Sequence, residues 1–387
     1  MVPILSHLSR RFYCRKVSSE ASSFKFENLR ITLAPESERK TKPTKDFSFG
    51  RDFSDHMLQI RWNQEVGWSH PEIVPLQNFS IHPASKVLHY SQTVFEGLKA
   101  YRGDDNKIRL FRPDQNVHRF LDSSSRACLP PFDPGELLKC IKKLIDIERD
   151  WVPNAEHTSL YIRPTHIGTE AMLGVASSMD SILFVITGPS GPYFKTGIKP
   201  VSLLAHPGFI RAWPKGTGCY KMGSNYAPTL YVQKIAESMG HQQVLWLFGD
   251  DHQLTEVGAM NIFAYLINEK GEKELVTPPL DQDIILPGIT RKSVLELTRS
   301  WNEFKVSERN LPMGEVLQAL SEKRLLEIFG SGTACVICPV GRIHYEGKDY
   351  TIPTAESKDG LCRKLAETIT GIQYGRVKYK DWAHELD

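Results

Sequence analysis

The sequence predicts an α/β protein of two domains, a small one followed by a larger, mixed one. Three observations carry this. The chain has 387 residues, which at ~150 residues per domain leaves room for two cores. Strand-like and helix-like segments alternate along most of it, the pattern of mixed α/β folds. The stretch GPSGPYFKTGIKP, residues 188–200, gathers three glycines and three prolines and is the strongest break in the chain.

Taken in order, the elements begin with a segment that is not part of the fold. The first nineteen residues hold Arg10, Arg11, Arg15 and Lys16 and no acid, and Ile4, Leu5, Leu8 and Phe12 recur at helical spacing. An Arg-rich, Ser-containing, acid-free amphipathic leader is the pattern of a mitochondrial transit peptide, here taken as residues 1–22, and it implies the mitochondrial matrix. Residues 23–46 include APESERKTKPTKD, charged and poor in large apolar side chains, and are expected to form a flexible arm. The small N-terminal α/β domain is expected over residues 47–190. In it TVFEGLKAYRG and KIRLF read as strands paired around the RGDDNK turn. DPGELLKCIKKLIDIERDW places Leu137, Leu138, Ile141, Leu144 and Ile145 on one helical face. SLYIRPTHIG and SILFVITG return to strand. Residues 191–199 are the linker.

The large C-terminal domain is expected over residues 200–387. VSLLAH is a strand, TLYVQKIAESMG a helix, and QVLWLFG and AMNIFAYLI are strands. TRKSVLELTRSW is a helix and FKVSERNL a strand. MGEVLQALSEKRLLEIFG, residues 313–330, is expected to be helical throughout. ACVICPVGRIHY is a strand and DGLCRKLAETITGIQYG a closing helix. No internal repeat or low-complexity block interrupts this order.

Composition excludes several classes. The chain is 41% hydrophobic and 24% charged, ordinary for a soluble globular protein. No apolar run is long enough to span a bilayer. The formal charge is +3, and without the four leader cations it is −1, so nothing points to nucleic acid or an acidic membrane. The seven cysteines are odd in number and scattered, which argues against a disulfide framework. G-x-x-x-x-G-K-[ST], G-x-G-x-x-G and H-E-x-x-H are all absent, and no cysteine–histidine set has zinc spacing, so no metal is expected.

What remains is one lysine and three small-residue segments. Lys221 sits in GTGCYKMGSNYAP, among glycines and tyrosines. A lysine that does covalent chemistry must lose its proton, and a low-dielectric surround favours that loss. Its usual product is a Schiff base with an aldehyde, most often pyridoxal phosphate. On local sequence alone a solvated turn lysine is the better reading. Three partners change the balance. Glu256, in HQLTEVGAMNIF, enters an apolar strand and could keep a pyridine nitrogen protonated. Ile289 and Thr290, in LPGITRKSV, open a helix whose free N–H groups suit phosphate. Ser331, Gly332 and Thr333, in FGSGTACV, form a second candidate nest.

Together FEGLKAYRG, YIRP, YKMGSNYAPTL, HQLTEVGAMNIF, LPGITRKSV and FGSGTACVICPV closely resemble the branched-chain amino acid aminotransferases, nearest to the eukaryotic mitochondrial form. These are fold-type IV, D-amino acid aminotransferase-like, pyridoxal phosphate enzymes. The resemblance runs over residues 22–382. It implies transfer of the amino group of L-leucine, L-isoleucine or L-valine to 2-oxoglutarate, giving the branched-chain 2-oxo acid and L-glutamate. It also implies a homodimer with no nucleic acid or membrane partner. Lys221 would hold the cofactor as a Schiff base and then shuttle the substrate proton. Glu256 would bond the pyridine nitrogen and Tyr226 the phenolic oxygen. Arg119, in NVHRF, would pair with the phosphate, aided by Ile289, Thr290 and Thr333. Phe95, Tyr161 and Tyr90 would wall the side-chain pocket, with Thr333 and Ala334 at the substrate carboxylate. Arg163 would lie near the dimer interface. Cys335 and Cys338, a C-x-x-C in strand-like sequence, would form a redox switch, against the plainer reading of two buried thiols. The glycines around Lys221 would make room for the cofactor.

Three positions depart from the family pattern. Ala259 stands where threonine is common, and Cys219 and Ser224 stand where asparagine and glycine are. Two other readings stay open at this level. One is a D-amino acid aminotransferase or aminodeoxychorismate-type lyase on the same fold. The other is a non-catalytic redox or scaffolding protein using the cysteine pair.

Overall fold

The computed structural model describes residues 23–43, 47, 49–191, 199–356 and 360–386. The expected transit peptide and most of the expected linker lie outside these residues.

Two large sheets organise the chain. In the first, the strands run in the order Arg30–Ile31, Glu72–Pro75, His56–Asn63, Asp180–Ser190, Ser159–Gly168, Leu98–Arg102, Ile108–Phe111 and Ala383–Glu385. Its central pair, Ser159–Gly168 with Asp180–Ser190, is a long antiparallel ladder. The helices Pro113–Arg126 and Pro134–Ile147 close one face, and Leu58, Ile60, Leu137, Ile141, Leu144, Leu160 and Ile162 form the core between. Asp133 caps the second helix, its Oδ1 accepting from the N–H groups of Gly135 (2.8 Å) and Glu136 (3.1 Å), with Pro134 at the first helical position. Cys140 completes the buried face, while Leu138 is only partly covered.

In the second sheet the order is Gln253–Val257, Gln243–Phe248, Val201–Ala205, Val336–Tyr345, Leu325–Gly332, Met260–Ile267, Lys273–Thr277 and Lys305–Glu308. A third apolar cluster joins the two units. Tyr101 and Phe111 of the first sheet pack with Phe263, Phe329 and Ile337 of the second and with Leu365 and Ile369 of the helix Leu361–Gln373. Sheet membership changes between Ser190 and Val201. Among the described residues no helix is long and apolar enough to cross a membrane.

Four expectations need correction. Residues 23–43 are not a free arm. Phe24 is buried against Trp68 and Phe132, Arg30–Ile31 pairs with the first sheet, and the N–H of Lys40 donates to Asp55 at 2.8 Å. Buried aromatic surface and backbone pairing outweigh the polar composition there. Residues 313–330 are not one helix. The helix is Met313–Ser321, Lys323 turns the chain at φ +58°, and Leu325–Gly332 is a strand. A short apolar run fits either period, and pairing with Met260–Ile267 on one side and Val336–Tyr345 on the other decides it. The C-terminal end does not stay with the large domain, since Ala383–Glu385 pairs with Ile108–Phe111. Finally, the strand around residues 93–103 breaks into Thr93–Phe95 and Leu98–Arg102, which places Glu96 and Gly97 between them.

Candidate active site

A cavity of about 420 Å³ lies between the two units. Phe95, Gly97, Arg119, Tyr161 and Arg163 line it from the first, and Lys221, Tyr226, Ile289, Thr290, Ser331, Thr333 and Ala334 from the second. A larger groove, about 910 Å³, lined by Tyr265, Phe304 and Leu326, shares no residue with it.

Lys221 is presented by a tightly tied loop. Its N–H donates to Ser123 Oγ (2.9 Å) and its carbonyl accepts from the N–H of Phe95 (3.1 Å). Asn225 clamps the loop, its Nδ2 donating to the carbonyls of Thr217 (2.7 Å) and Tyr220 (2.9 Å). The Nζ of Lys221 donates to Tyr226 Oη at 3.2 Å and stands 4.8 Å from the Phe95 ring centre. The loop glycines do not make room for a ligand, contrary to expectation. A Cβ on Gly218 would meet the Ile284 carbonyl oxygen at 2.0 Å, and one on Gly223 would meet Thr93 at 2.6 Å. They let chain approach chain, which fixes where the lysine emerges.

Arg119 reaches the cavity from the middle of the helix Pro113–Arg126. Glu96, fully buried, accepts from its Nε (2.6 Å) and Nη2 (2.9 Å) and also from Asn116 Nδ2 (2.8 Å). Burial acts to raise the Glu96 carboxyl, but the charge and hydrogen bonds of Arg119 prevail and hold it below its ordinary value. Arg119 Nη1 donates to the Pro287 carbonyl at 3.2 Å. That carbonyl precedes Gly288, which opens the helix Ile289–Trp301, so the guanidinium and the free N–H groups of Ile289 and Thr290 converge.

Glu256 stands just behind the wall formed by Asn261 and Leu286. It is 2% exposed, accepts from the N–H of Leu286 (2.8 Å) and pairs with Arg211 Nε (3.1 Å). Burial pushes its carboxyl up, and Arg211 and the Leu286 N–H pull it back.

The structure brings Phe95, Arg119, Tyr161, Lys221, Tyr226, Ile289, Thr290, Thr333 and Ala334 to one cavity. Tyr90 does not join them. It lies on an exposed face, with its hydroxyl donating to the Leu173 carbonyl. Arg163 lines the cavity itself, where the resemblance implied only an interface. It lies over Phe95 and Tyr161, at 4.8 and 5.1 Å from their ring centres, and donates to Tyr161 Oη at 2.9 Å. Cys335 closes the turn that carries Thr333 and Ala334, its thiol donating to Met260 Sδ at 3.1 Å, and Cys338 lies buried in the strand beyond. Ala259 lines the cavity and offers no hydroxyl, and burial pushes the Cys219 thiol up to about 11. Nothing in the structure explains Ser224. Glu96, Asn116 and Arg211 were missed. The only signal for Glu96 was an acid inside the apolar run VFEGL.

These residues fit a phosphorylated aldehyde. The Ser331 hydroxyl is buried in the cavity wall without a partner, and the N–H groups of Ile289, Thr290, Thr333 and Ala334 find no backbone acceptor among the described residues. An anion with several acceptor oxygens satisfies such donors. Elsewhere, His241, His344 and Asp349 bring possible metal ligands within 4.8 Å, but Arg342 already faces Asp349 at 3.4 Å, and a second cation is opposed.

Comparison with known proteins gives the family. Residues 93–343 match the class IV aminotransferase family. The chain is 51% identical to the mitochondrial branched-chain-amino-acid aminotransferase of Bos taurus, over 96% of this chain and 94% of that one. It is 52% identical to the cytosolic branched-chain-amino-acid aminotransferase of Caenorhabditis elegans, over 94% and 90% respectively. Its fold is similar to that of the branched-chain amino acid aminotransferase from Thermobaculum terrenum in its PLP-bound form, with a TM-score of 0.69 at 18% identity, over 87% of this chain and 100% of that one.

Proposed function

The chain belongs to the class IV aminotransferases and, within them, to the branched-chain-amino-acid aminotransferases, and from that membership we infer its reaction. It transfers the amino group of L-leucine, L-isoleucine or L-valine to 2-oxoglutarate, with pyridoxal phosphate as cofactor. The observation that carries the reading is Lys221 Nζ, held by Tyr226 Oη at 3.2 Å in a cavity with an anion cradle at one end and aromatic walls at the other.

When bound, pyridoxal phosphate supplies a sink for the electron pair released at the substrate α-carbon. The residues then have distinct work. Arg119, Ile289, Thr290 and the free Ser331 hydroxyl hold the phosphate. The Glu256 carboxylate holds a proton at the ring nitrogen. The Lys221 amine, oriented by Tyr226, would take the substrate α-proton and serve as its carrier during the transfer. Phe95 and Tyr161 exclude water and wall an aliphatic side chain. The N–H groups of Thr333 and Ala334 receive the α-carboxylate. Arg163 Nε, buried without a partner, is suited to the second carboxylate of 2-oxoglutarate and glutamate. An apolar wall with one arginine serves both substrates in turn, which a lyase acting on a single substrate does not require.

A homodimer is the expected unit. Leu88, Tyr90, Met172, Leu173 and Val175 are exposed together on the face tied by the Tyr90–Leu173 contact. Tyr90, outside its own cavity, can wall only the pocket of a second copy. Relatives of similar identity carry mitochondrial and cytosolic names, and the leader composition favours the mitochondrion. The test is a panel of L- and D-amino acids with 2-oxoglutarate on protein reconstituted with pyridoxal phosphate. Leucine, isoleucine and valine should lead. A preference for D-amino acids, or 2-oxo acid formation without glutamate, would overturn the reading.

A further inference from the structure

Lys99 is an unusual residue for its place. It lies on the strand Leu98–Arg102, opposite Tyr161, and is only 8% exposed. Directly opposed residues share a face, and Tyr161 lines the cavity, so Lys99 is on the cavity side of the first sheet. A buried ammonium normally has a carboxylate partner. Lys99 forms no ion pair among the described residues. Its Nζ crosses to the other unit and donates to the Ala334 carbonyl at 2.9 Å, its only hydrogen bond there.

The segment it reaches is strained. Residues 333–335 turn the hairpin between Leu325–Gly332 and Val336–Tyr345. Val336, a β-branched residue, follows at φ +61°, and the Ile337 N–H closes back on the Cys335 carbonyl at 2.8 Å. A three-residue turn centred on positive φ is rare and strained, and valine is among the least suited residues for it. Such a conformation persists only where its surroundings hold it. The hairpin turn that leads directly into it bears the Thr333 and Ala334 amides, which have no backbone acceptor among the described residues and line the cavity.

We propose that Lys99 is a positioning residue: by tethering the Ala334 carbonyl from the opposite domain, it holds the strained turn in the geometry that offers the Thr333 and Ala334 amides to the substrate carboxylate. The proposal rests on the assignment of those amides to the carboxylate. Without the tether, the turn relaxes about Val336 and the amides lose their common aim.

Burial pushes the Lys99 ammonium down to about 8, with the Cys335 thiol on the turn acting the other way. The other titratable groups on the packed elements include Tyr161, Arg163 and His166 from the strand Ser159–Gly168, Arg109 from the strand Ile108–Phe111, and Cys338, Arg342, His344 and Tyr345 from the strand beyond the turn. The sign follows directly. Below about 8 the ammonium is charged and the tether is strong, and as pH rises through about 8 it weakens, so carboxylate affinity falls. Fold stability moves the opposite way. Between about 8 and the ordinary value of 10.5 the unfolded chain binds more protons than the folded one, so stability rises with pH in that window. A merely structural lysine would not lower affinity while stability rises.

The probe is 4-methylpentanoate, the carbon skeleton of leucine without its amine, titrated into the holoenzyme from about pH 7 to about pH 9, where it does not ionise further. Lys99→Met should weaken binding by about tenfold or more, the scale of a lost charge-assisted hydrogen bond, and should flatten the pH dependence. Val336→Gly relieves the backbone strain, and in the Lys99→Met background it should recover most of the lost affinity. Hydrogen exchange at the Ile337 amide should speed up in Lys99→Met and slow again in the double variant. Wild-type affinity in Lys99→Met, or weakened affinity that Val336→Gly leaves unchanged, would overturn the proposal. Failure of the wild type to bind 4-methylpentanoate would instead overturn the substrate reading.

Discussion

Replacing Glu96 with glutamine tests whether the cavity's cations are held in place before any ligand arrives. The change is nearly isosteric and removes one charge. In the wild type the Glu96 side chain is 1% exposed and that of Arg119 10%, and the carboxylate receives Arg119 Nε at 2.6 Å and Nη2 at 2.9 Å. Removing one partner of a buried pair destabilises by about 3–5 kcal/mol. Glutamine can still accept one hydrogen bond from the guanidinium, which lowers the expected loss to about 2–3 kcal/mol. At about 2–4 °C per kcal/mol, the unfolding midpoint of cofactor-free protein should fall by about 4–12 °C near neutral pH. Adding pyridoxal phosphate, or inorganic phosphate at high concentration, gives Arg119 a new anion, so the gap should narrow. The pH dependence has a definite sign. The folded Glu96 carboxyl lies below its ordinary 4.5, so its contribution is complete above that value and disappears as pH falls through the folded value. The two proteins should therefore converge on acidification. Equal midpoints near neutrality, or a gap that phosphate leaves untouched, would refute the reasoning.

Other outcomes follow from the same geometry. Lys221→Ala should lose covalent cofactor attachment and about 10³-fold or more of kcat, measured by absorbance and single-turnover rates, and a variant at wild-type rate would remove Lys221 from its role. Glu256→Gln should keep bound cofactor but turn over at least about 10²-fold more slowly, and unchanged kcat would give Glu256 another task. Arg163→Gln should raise KM for 2-oxoglutarate by about tenfold and KM for leucine far less; equal effects on both would deny Arg163 a carboxylate. Peroxide should oxidise Cys335 to a sulfenic acid with release of water, and the Cys338 thiol should then displace a second water to form a disulfide that dithiothreitol reverses. Cys335→Ala should resist peroxide inhibition, and a variant as sensitive as wild type would place the switch elsewhere.

Most elements were legible because their patterns are local. The helix Pro134–Ile147 announces itself through its apolar face and the Asp133–Pro134 cap, and Val201–Ala205 through an unbroken apolar run. The strand Leu325–Gly332 was not legible, because LLEIFG satisfies both periods and only its two neighbours in the sheet fix it. The packing of residues 23–43 was hidden for a related reason. Phe24, a two-residue strand and hydrogen bonds from the backbone N–H groups of Ala34 to His56 and of Lys40 to Asp55 hold a segment whose composition is otherwise that of a tail. In the site, Lys221, Ile289 and Thr290 could be found from their immediate neighbours. Glu96 and Arg211 could not, since each is defined by a charge far away in sequence, Arg119 and Glu256 respectively.

Those hidden partners decide the charge the cavity presents. Arg119 is neutralised by Glu96 and Arg211 by Glu256, each pair buried and within 3.1 Å. The remaining cations on the cavity side are Lys221, Arg163 and Lys99, none with an acid partner among the described residues. Unpaired positive charge in a low-dielectric enclosure attracts anions strongly. The cofactor brings a phosphate, and each substrate brings one carboxylate or two. On the proposed reading two of these cations, Lys99 and Arg163, lie toward the anionic groups of the substrates, while the phosphate falls to the paired Arg119 and the free N–H groups of Ile289 and Thr290. Lys221 stands at the reacting carbon, Lys99 behind the amides assigned to the α-carboxylate, and Arg163 over Phe95 and Tyr161, where the side chain ends in either methyl groups or a carboxylate. A guanidinium within 4.8 and 5.1 Å of two ring centres, with its Nε buried and unpartnered, offers an aromatic-backed surface to the first and an N–H donor to the second. On the proposed reading, the same Arg163–Phe95–Tyr161 group meets either the aliphatic end of leucine or the second carboxylate of glutamate.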